Sequence, residues 1–444
     1  DVCLDIFPVI VFFFRRRTVL REIKNGVYYT YTPSTKYKSN LLVIKLIAPY
    51  NIKRASIRAL LSRLFEDGSE AIKNKGILEK KLADLYGATL SVSVQRKGNF
   101  HEFSLTSSIA RPKLLNDNID KLVEDWFKLI YSILFEQNFD QNNSELVASF
   151  QREKQMLLSL LERDKDDKAN LVIEKLMERL YENAEVYYAE GLGNEAAINS
   201  ATLGDLKREY ETMINDSLIL IGVHGEFIND PLEQEISNWP LPPRSSNISY
   251  LNNYITTKLI EEEITVEKVD GQQTYLALAY YIPMAITLRQ KILTQVLNGI
   301  LGSLPNSVLF TEVRESEGLA YSICSSVDYS RHLLIIEAGI DGKQIQTVLS
   351  AIKQQFNTIN QKLLDSNFLN EAKLTLLSNE IQSRDSQAVE LYLEFNQILK
   401  PGIDFTFENY HHIIETLQPD DIASLLAKVK PRIGVVLKGC EADD

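Results

Sequence analysis

The apolar and polar positions of this chain form one ordered pattern that then occurs a second time. Leu41 to Tyr50 (LLVIKLIAPY) is an apolar run rich in strand-forming residues, and helical periodicity takes over around Ile57 to Phe65. Tyr275 to Met284 (YLALAYYIPM) and Leu288 to Leu297 repeat that opening, with Pro49 and Pro283 at matching places. Thirty residues separate Ile57 from Gly87, and thirty separate Leu288 from Gly318. After each glycine the residues alternate as along a half-buried strand, over Gly87 to Val94 and Gly318 to Ser325. More strand pattern follows at His101 to Ser107 and at His332 to Ala338. Closing strands are predicted at Ser217 to Val223 (SLILIGV) and Arg432 to Leu437 (RIGVVL). Each follows a short helix capped by Thr202 or Gln418, with Asp205 or Asp420 and Asp421 in a first turn where they favour the helix dipole. Glu145 to Asn183 predicts the longest helical stretch, interrupted near Arg163 to Lys168.

A repeat of this length implies two homologous units, an α+β fold of two sandwich domains, each a mixed or antiparallel sheet covered by helices on one face. The boundaries are residues 21–228 and 248–440, joined by 229–247, where Pro231, Pro240, Pro242 and Pro243 give the composition of a linker. Residues 1–20 stand outside this scheme. Their apolar run Ile6 to Phe14 precedes Arg15 to Arg17, the reverse of a signal peptide's order, and is far below the roughly 20 residues needed to span a bilayer. They are read as an extension of uncertain status, such as an upstream-started reading frame.

Composition narrows the function. The 444 residues are 45% apolar and 24% charged, an ordinary globular balance, and the formal charge of −12 with no long Lys/Arg cluster disfavours a nucleic-acid partner. Cys3, Cys324 and Cys440 have no disulfide-framework spacing, which points to a reducing, cytoplasmic setting without a membrane. His101, His224 and His332 are isolated, and the adjacent His411 and His412 diverge on a helix, so each is read as structural or surface. The runs Glu261 to Glu263 and Asp164 to Asp167 are read as solvated faces. Asn298 to Ser303, with Gly299 and Gly302, reads as a helix C-cap and turn.

One segment stands apart: Arg314-Glu315-Ser316-Glu317-Gly318-Leu319-Ala320-Tyr321-Ser322. Arg314 closes a helix, Gly318 permits a tight turn and Tyr321 begins a strand, so guanidinium and phenol can converge on one side of a domain entrance. The corresponding first-half positions are Ala83 and Leu90, which carry no such donors.

With this segment, the duplication and the Pro-rich connection, the chain from about residue 20 to 440 resembles the M16 (insulinase and mitochondrial processing peptidase) family. That resemblance implies LuxS/MPP-like units forming half of a clam-shell. Active members carry an inverted zinc signature, His-x-x-Glu-His, on the first long helix. Aligning Gly68-Ser69 with the Gly-Thr that usually follows the signature places Ala59, Ser62 and Arg63 at its three functional positions. The distal carboxylate ligand is expected near Met156 to Leu158, which are apolar. The resemblance therefore implies a chain with no catalytic residues of its own and no bound metal, paired as a heterodimer with a zinc-bearing paralogue. There Arg314 and Tyr321 hold the peptide substrate and steady the oxyanion. The stretches Phe65 to Ser69, Leu85 to Ala88 and Lys97-Gly98 are most similar to Gram-positive members linked to elongation factor P modification or bacteriocin maturation. A peptide- or protein-binding scaffold without a part in hydrolysis is the alternative.

Overall fold

A computed structural model of the chain describes residues 19–115, 119–182, 184–227, 232–244, 255, 263–283, 285–363, 365–400 and 402–440. The strands are β1 (Val19–Lys24), β2 (Val27–Pro33), β3 (Ser39–Pro49), β4 (Thr89–Lys97), β5 (Phe100–Ala110), β6 (Leu218–Gly225), β7 (Glu263–Asp270), β8 (Thr274–Tyr281), β9 (Ala320–Asp328), β10 (Leu333–Ile340) and β11 (Lys430–Cys440). The first-half helices are α1 (Ile52–Phe65), α2 (Lys75–Asp84), α3 (Ile119–Phe135), α4 (Ser144–Asp166), α5 (Lys168–Leu180), α6 (Glu185–Tyr188), α7 (Glu195–Ser200), α8 (Leu203–Asp216) and α9 (Leu232–Ser237). The second half holds α10 (Leu288–Asn298), α11 (Ile345–Lys362), α12 (Ser366–Ser383), α13 (Gln387–Leu399), α14 (Phe407–Thr416) and α15 (Pro419–Leu426). The apolar run Ile6 to Phe14 and Cys3 lie outside the described residues; Cys324 and Cys440 are free thiols. Because β1 begins at Val19, the first sheet reaches two residues into the segment set aside as an extension.

The strand and helix predictions hold with shifts of a few residues, and the two sheets share one plan. The first has the order β1-β2-β6-β3-β5-β4 and the second β7-β11-β8-β10-β9. Within each, an edge-side strand runs parallel to the closing strand (β2 on β6, β7 on β11) and the other neighbours are antiparallel. Thr202 and Gln418 both cap as expected, each in a capping box with Asp205 or Asp421. The long helical stretch breaks at Asp167, whose carboxylate caps α5, so that residue of the acidic run has a structural role.

Helices cover both faces of each sheet, where the sequence reading had them on one. The reason lies in the closing and central strands, which are continuous apolar runs with no polar face to leave in water. The second face is covered by exchange. Helix α5 of the first half lays Val172, Leu176 and Leu180 on Ala277, Ala279, Leu333 and Val435 of the second sheet. Helix α13 of the second half lays Leu391, Phe395 and Ile398 on Leu41, Val43, Leu218 and Leu220 of the first. Each such side chain contributes about 1.5–3 kcal/mol on burial, so the two halves hold each other through α5 and α13. Gly222 in β6 makes the approach of α13 close: a Cβ there would meet Phe395 at 2.6 Å. A polar clasp closes the same contact, with fully buried His224 2.5 Å from Glu390 and Gln387 donating to the Ser39 carbonyl.

Candidate functional site

Helix α1 carries Ala59, Ser62 and Arg63, the positions that the sequence reading aligned with a metal signature. Capped by Asn51, whose side chain accepts from the Arg54 amide, it is almost wholly buried between the first sheet and α4, α7 and α8. Ala59 is 1% exposed and offers no ligand atom. Ser62 is buried, and its hydroxyl donates to the Ala59 carbonyl at 2.8 Å, bonded back to its own helix. Arg63 points the other way, and its Nε donates to Glu153 on α4 at 3.0 Å. Arg152 Nε approaches the second Glu153 oxygen at 3.3 Å, while its terminal nitrogen donates to Asp67 at 2.6 Å; Asp67 also accepts from Ser149.

The carboxylate nearest the signature therefore comes from Glu153 and not from Met156 to Leu158, where the sequence reading looked. Met156 is half exposed and its sulfur lies 2.8 Å from an Arg63 nitrogen. A signal existed in the sequence: Phe150, Glu153 and Leu157 are spaced three and four apart, as residues on one face of a helix are, and all three are buried. Two arginines and two carboxylates close a locally neutral network, so Glu153 has its compensating charge from guanidinium groups of the chain itself. Among the described residues no group of three or more His, Cys, Asp or Glu side chains could hold a metal ion.

The second half builds its corresponding region differently. Helix α10 passes at Gly299 into a π-helical turn, Gly299–Ser303, and a second π-helical stretch, Leu309–Ser316, ends just past Arg314. Gly299 keeps helical dihedrals (φ −56°, ψ −52°) and is buried, so the helix continues as a π-helical turn where the sequence reading had a C-cap and turn. π-Helical turns recur at functional sites because they widen the helix and re-aim the following side chains. Gly318 then turns the chain with φ +61°, a left-handed conformation that costs glycine little. In β9, Ala320 faces Ile340 and Ser322 faces Gly339, leaving Tyr321 as the extra residue of a β-bulge. The bulge turns Tyr321 outward and leaves it 66% exposed. Arg314 lies with its guanidinium 4.7 Å from the Phe310 ring centre and 3.6 Å from Glu315. No hydrogen bond joins Arg314 to Tyr321 among the described residues, so the pair flanks the Gly318 turn as two separate, accessible donors.

The remaining candidates are structural. His101 is buried, its Nε2 2.7 Å from the Gly191 carbonyl, and burial pushes its pKa down to about 4. His332 immediately precedes β10 at φ +56° and its pKa is lowered by burial. His411 lies 3.4 Å from Glu415. In the first half, Ala83 is exposed on α2 and Leu90 is partly buried against the core, so neither supplies a donor. Among the described residues no helix is long and apolar enough to cross a membrane.

Comparison with known proteins places these features. Residues 200–376 match the family described as "Peptidase M16 inactive domain". The chain is 23% identical over 424 residues to "Probable inactive metalloprotease YmfF" of Bacillus subtilis (strain 168), covering 95% of this chain and 98% of that protein. It is 24% identical to "Uncharacterized zinc protease YmxG" of the same organism, across 58% of this chain and 61% of that one. Among solved structures, a conserved protein from Enterococcus faecalis V583 superposes with a TM-score of 0.87 at 26% identity, covering 96% of this chain and all of that one. A peptidase M16 inactive domain from Pseudomonas fluorescens superposes with a TM-score of 0.76 over 96% of this chain and 99% of that one; at 17% identity that likeness is one of fold.

Proposed function

Because the chain is an inactive M16-type protein, we propose that it serves as the non-catalytic subunit of a heterodimeric zinc peptidase. It completes the peptide chamber and lends Arg314 and Tyr321 to a substrate cleaved by a zinc-bearing relative. The observation that carries this reading is the asymmetry of the two halves. The signature positions hold Ala59, Ser62 and an Arg63 paired to Glu153, whereas the bulge and π-helical stretch of the second half hold an arginine and a tyrosine accessible. In the partner's cleft, a guanidinium and a phenol that donate to the developing oxyanion supply electrostatic stabilisation. The metal and the general base come from the partner's own signature. The stretches most similar to Gram-positive members make elongation factor P modification or bacteriocin maturation the expected pathways, and a cytoplasmic location the expected one.

The alternative, a peptide-binding scaffold without chemistry, is favoured by one feature: Arg314 rests over Phe310 and, among the described residues, makes no hydrogen bond to Tyr321. Hydrolysis of a mixed peptide library by the zinc-bearing M16 relative from the same genome, with and without this chain, separates the two. The shared site predicts that activity requires the chain. It also predicts that Arg314→Ala lowers kcat by about 10²–10³ while the heterodimer, followed by analytical ultracentrifugation, stays intact. Activity indifferent to the chain, or equal with the variant, leaves the scaffold.

A further inference from the structure

We infer that the groove between α11 and the β7/β11 edge of the second sheet docks an acidic peptide segment of a partner protein, anchored by a large apolar side chain. The argument starts from the first half, where the corresponding groove is already full. There β2 runs parallel to β6 with Val27 opposite Ile219, as β7 runs parallel to β11 with Ile264 opposite Gly434. Over β2 lies residues 232–244, the described part of the connection between the halves. Its composition suggested a linker, yet it is packed: Ile236, Trp239 and Leu241 are at most 3% exposed, and Trp239 meets Phe127 and Phe135 of α3 with ring centres 6.4 and 5.4 Å apart. The backbone is tied down as well. Lys24 donates to the Trp239 carbonyl, the Arg244 amide donates to the Asn25 carbonyl, and the Arg244 guanidinium donates to the carbonyls of Ile214 and Ser217, each at 3.0 Å. Beneath this strap Val27 is 1% exposed and Tyr29 is completely buried.

Among the described residues the same two register positions of the second sheet have no such cover. Ile264 is 38% exposed and Val266 is 52% exposed, and a cavity of about 510 Å³ opens beside Ile264. Its floor is Leu278 and Gly434, and one wall is Phe356 of α11, whose ring lies 4.9 Å from that of Tyr280. The charge of the lining sets the occupant. Lys353, Lys430 and Arg432 line the cavity and no Asp or Glu does, in a chain with 60 acidic and 48 basic residues. Among the described residues neither lysine is within ion-pair distance of a carboxylate, and the nearest acid in register is the exposed Glu263 at the start of β7, opposite Ile433. The first half thus displays how such a groove is filled, by an extended strap with an aromatic anchor. The second half presents the same shape with a basic lining, which selects an acidic strap.

The strap of the first half is itself a suitable probe, since residues 232–241 (LEQEISNWPL) carry two glutamates, an isoleucine and a tryptophan. A fluorescein-labelled peptide of that sequence, titrated into the full chain by fluorescence anisotropy, is expected to bind. The Lys353→Glu/Lys430→Glu variant, altered only at exposed side chains, should bind it about tenfold more weakly, as should wild-type chain presented with a peptide whose two glutamates are lysines. Arg314→Ala should leave the affinity unchanged, which separates this groove from the peptide grip proposed above. The inference is overturned by equal affinity in the charge-reversed variant, by a preference for the lysine peptide, or by no binding up to about 1 mM. It is equally overturned if sodium laurate binds the groove and the peptide does not, the outcome of a fatty-anion site. Matching thermal melts of wild type and variant confirm that both are folded.

Discussion

In the first half β4 pairs with β5 without interruption from Thr89 to Lys97, and the helix before it is a regular α2; in the second half the same approach is a π-helical stretch and β9 bulges at Tyr321. A second pair of regions differs in the opposite sense: in the first sheet the parallel strand β2 is flanked by β1 and strapped over, while in the second the parallel strand β7 is an edge with no strap among the described residues. Both sheets keep one strand plan, so the divergence lies in what covers or interrupts the strands. Duplicated units preserve register, because a slip of one residue would turn every apolar side chain to the wrong face. Irregular backbone and surface cover carry no such constraint, and each half has specialised there: the first closed and neutralised, the second accessible.

The largest test of this contrast concerns the strapped and unstrapped edges. Tyr29→Ala removes a fully buried ring and should destabilise the chain by about 3–5 kcal/mol, while Val266→Ala, at the corresponding register position, should cost less than about 1 kcal/mol. Urea denaturation of the two variants gives both numbers, and similar losses would mean that the second edge is covered after all.

Nearly as large is the expected difference between two ion pairs that join equivalent helices. In the first half Arg58 of α1 is 1% exposed and bonds Glu209 of α8 at 2.7 Å, and burial pulls its pKa below the usual arginine range. In the second, Arg289 of α10 meets Asp421 of α15 at 3.0 Å, with both side chains at least one third exposed. Glu209→Ala strands a buried cation and should cost about 3 kcal/mol or more, whereas Asp421→Ala should cost about 1 kcal/mol, part of it the lost capping box. Equal effects would show that the first pair is not desolvated as its burial implies.

The smallest effect is a pH dependence, again unequal between the halves. His101 near the start of β5 has its pKa pushed down to about 4 by burial, below the ordinary value of 6.5, so the unfolded chain takes up the proton first. Stability is full above pH 6.5, falls as the pH drops, and stops falling from this cause below about pH 4, for a loss on the order of 3 kcal/mol. His332, immediately before β10, is shifted the same way by weaker burial and should contribute less. Chemical denaturation between pH 7 and 4 should show a slope that His101→Gln removes and His332→Gln barely alters; the reverse ranking would contradict the burial argument.

The fold was legible because it is written in repeated local signals. The strand runs, the thirty-residue spacing, the caps at Thr202 and Gln418 and the break before Lys168 are all short-range, and each is set by backbone geometry or by side chains a few positions apart. The candidate site was visible in the sequence only in part. Ala59, Ser62 and Arg63 stand out as residues that cannot replace two imidazoles and a carboxylate, and Arg314 and Tyr321 stand out for their spacing around Gly318. Glu153 did not, because a lone glutamate between apolar neighbours acquires meaning only when Arg63, ninety positions earlier, is beside it.

By itself the sequence determined an α+β fold with a repeated strand and helix plan, and the absence of a zinc signature, since both follow from patterning and residue type. Tertiary structure alone decided the rest: the exchange of α5 and α13 between sheets, the bulge that exposes Tyr321, the Arg63–Glu153 pair, and the strap that fills one groove and leaves its counterpart open. Each of these depends on contacts between segments distant in the chain, where the favourable energy comes from which surfaces meet and not from what any local stretch prefers.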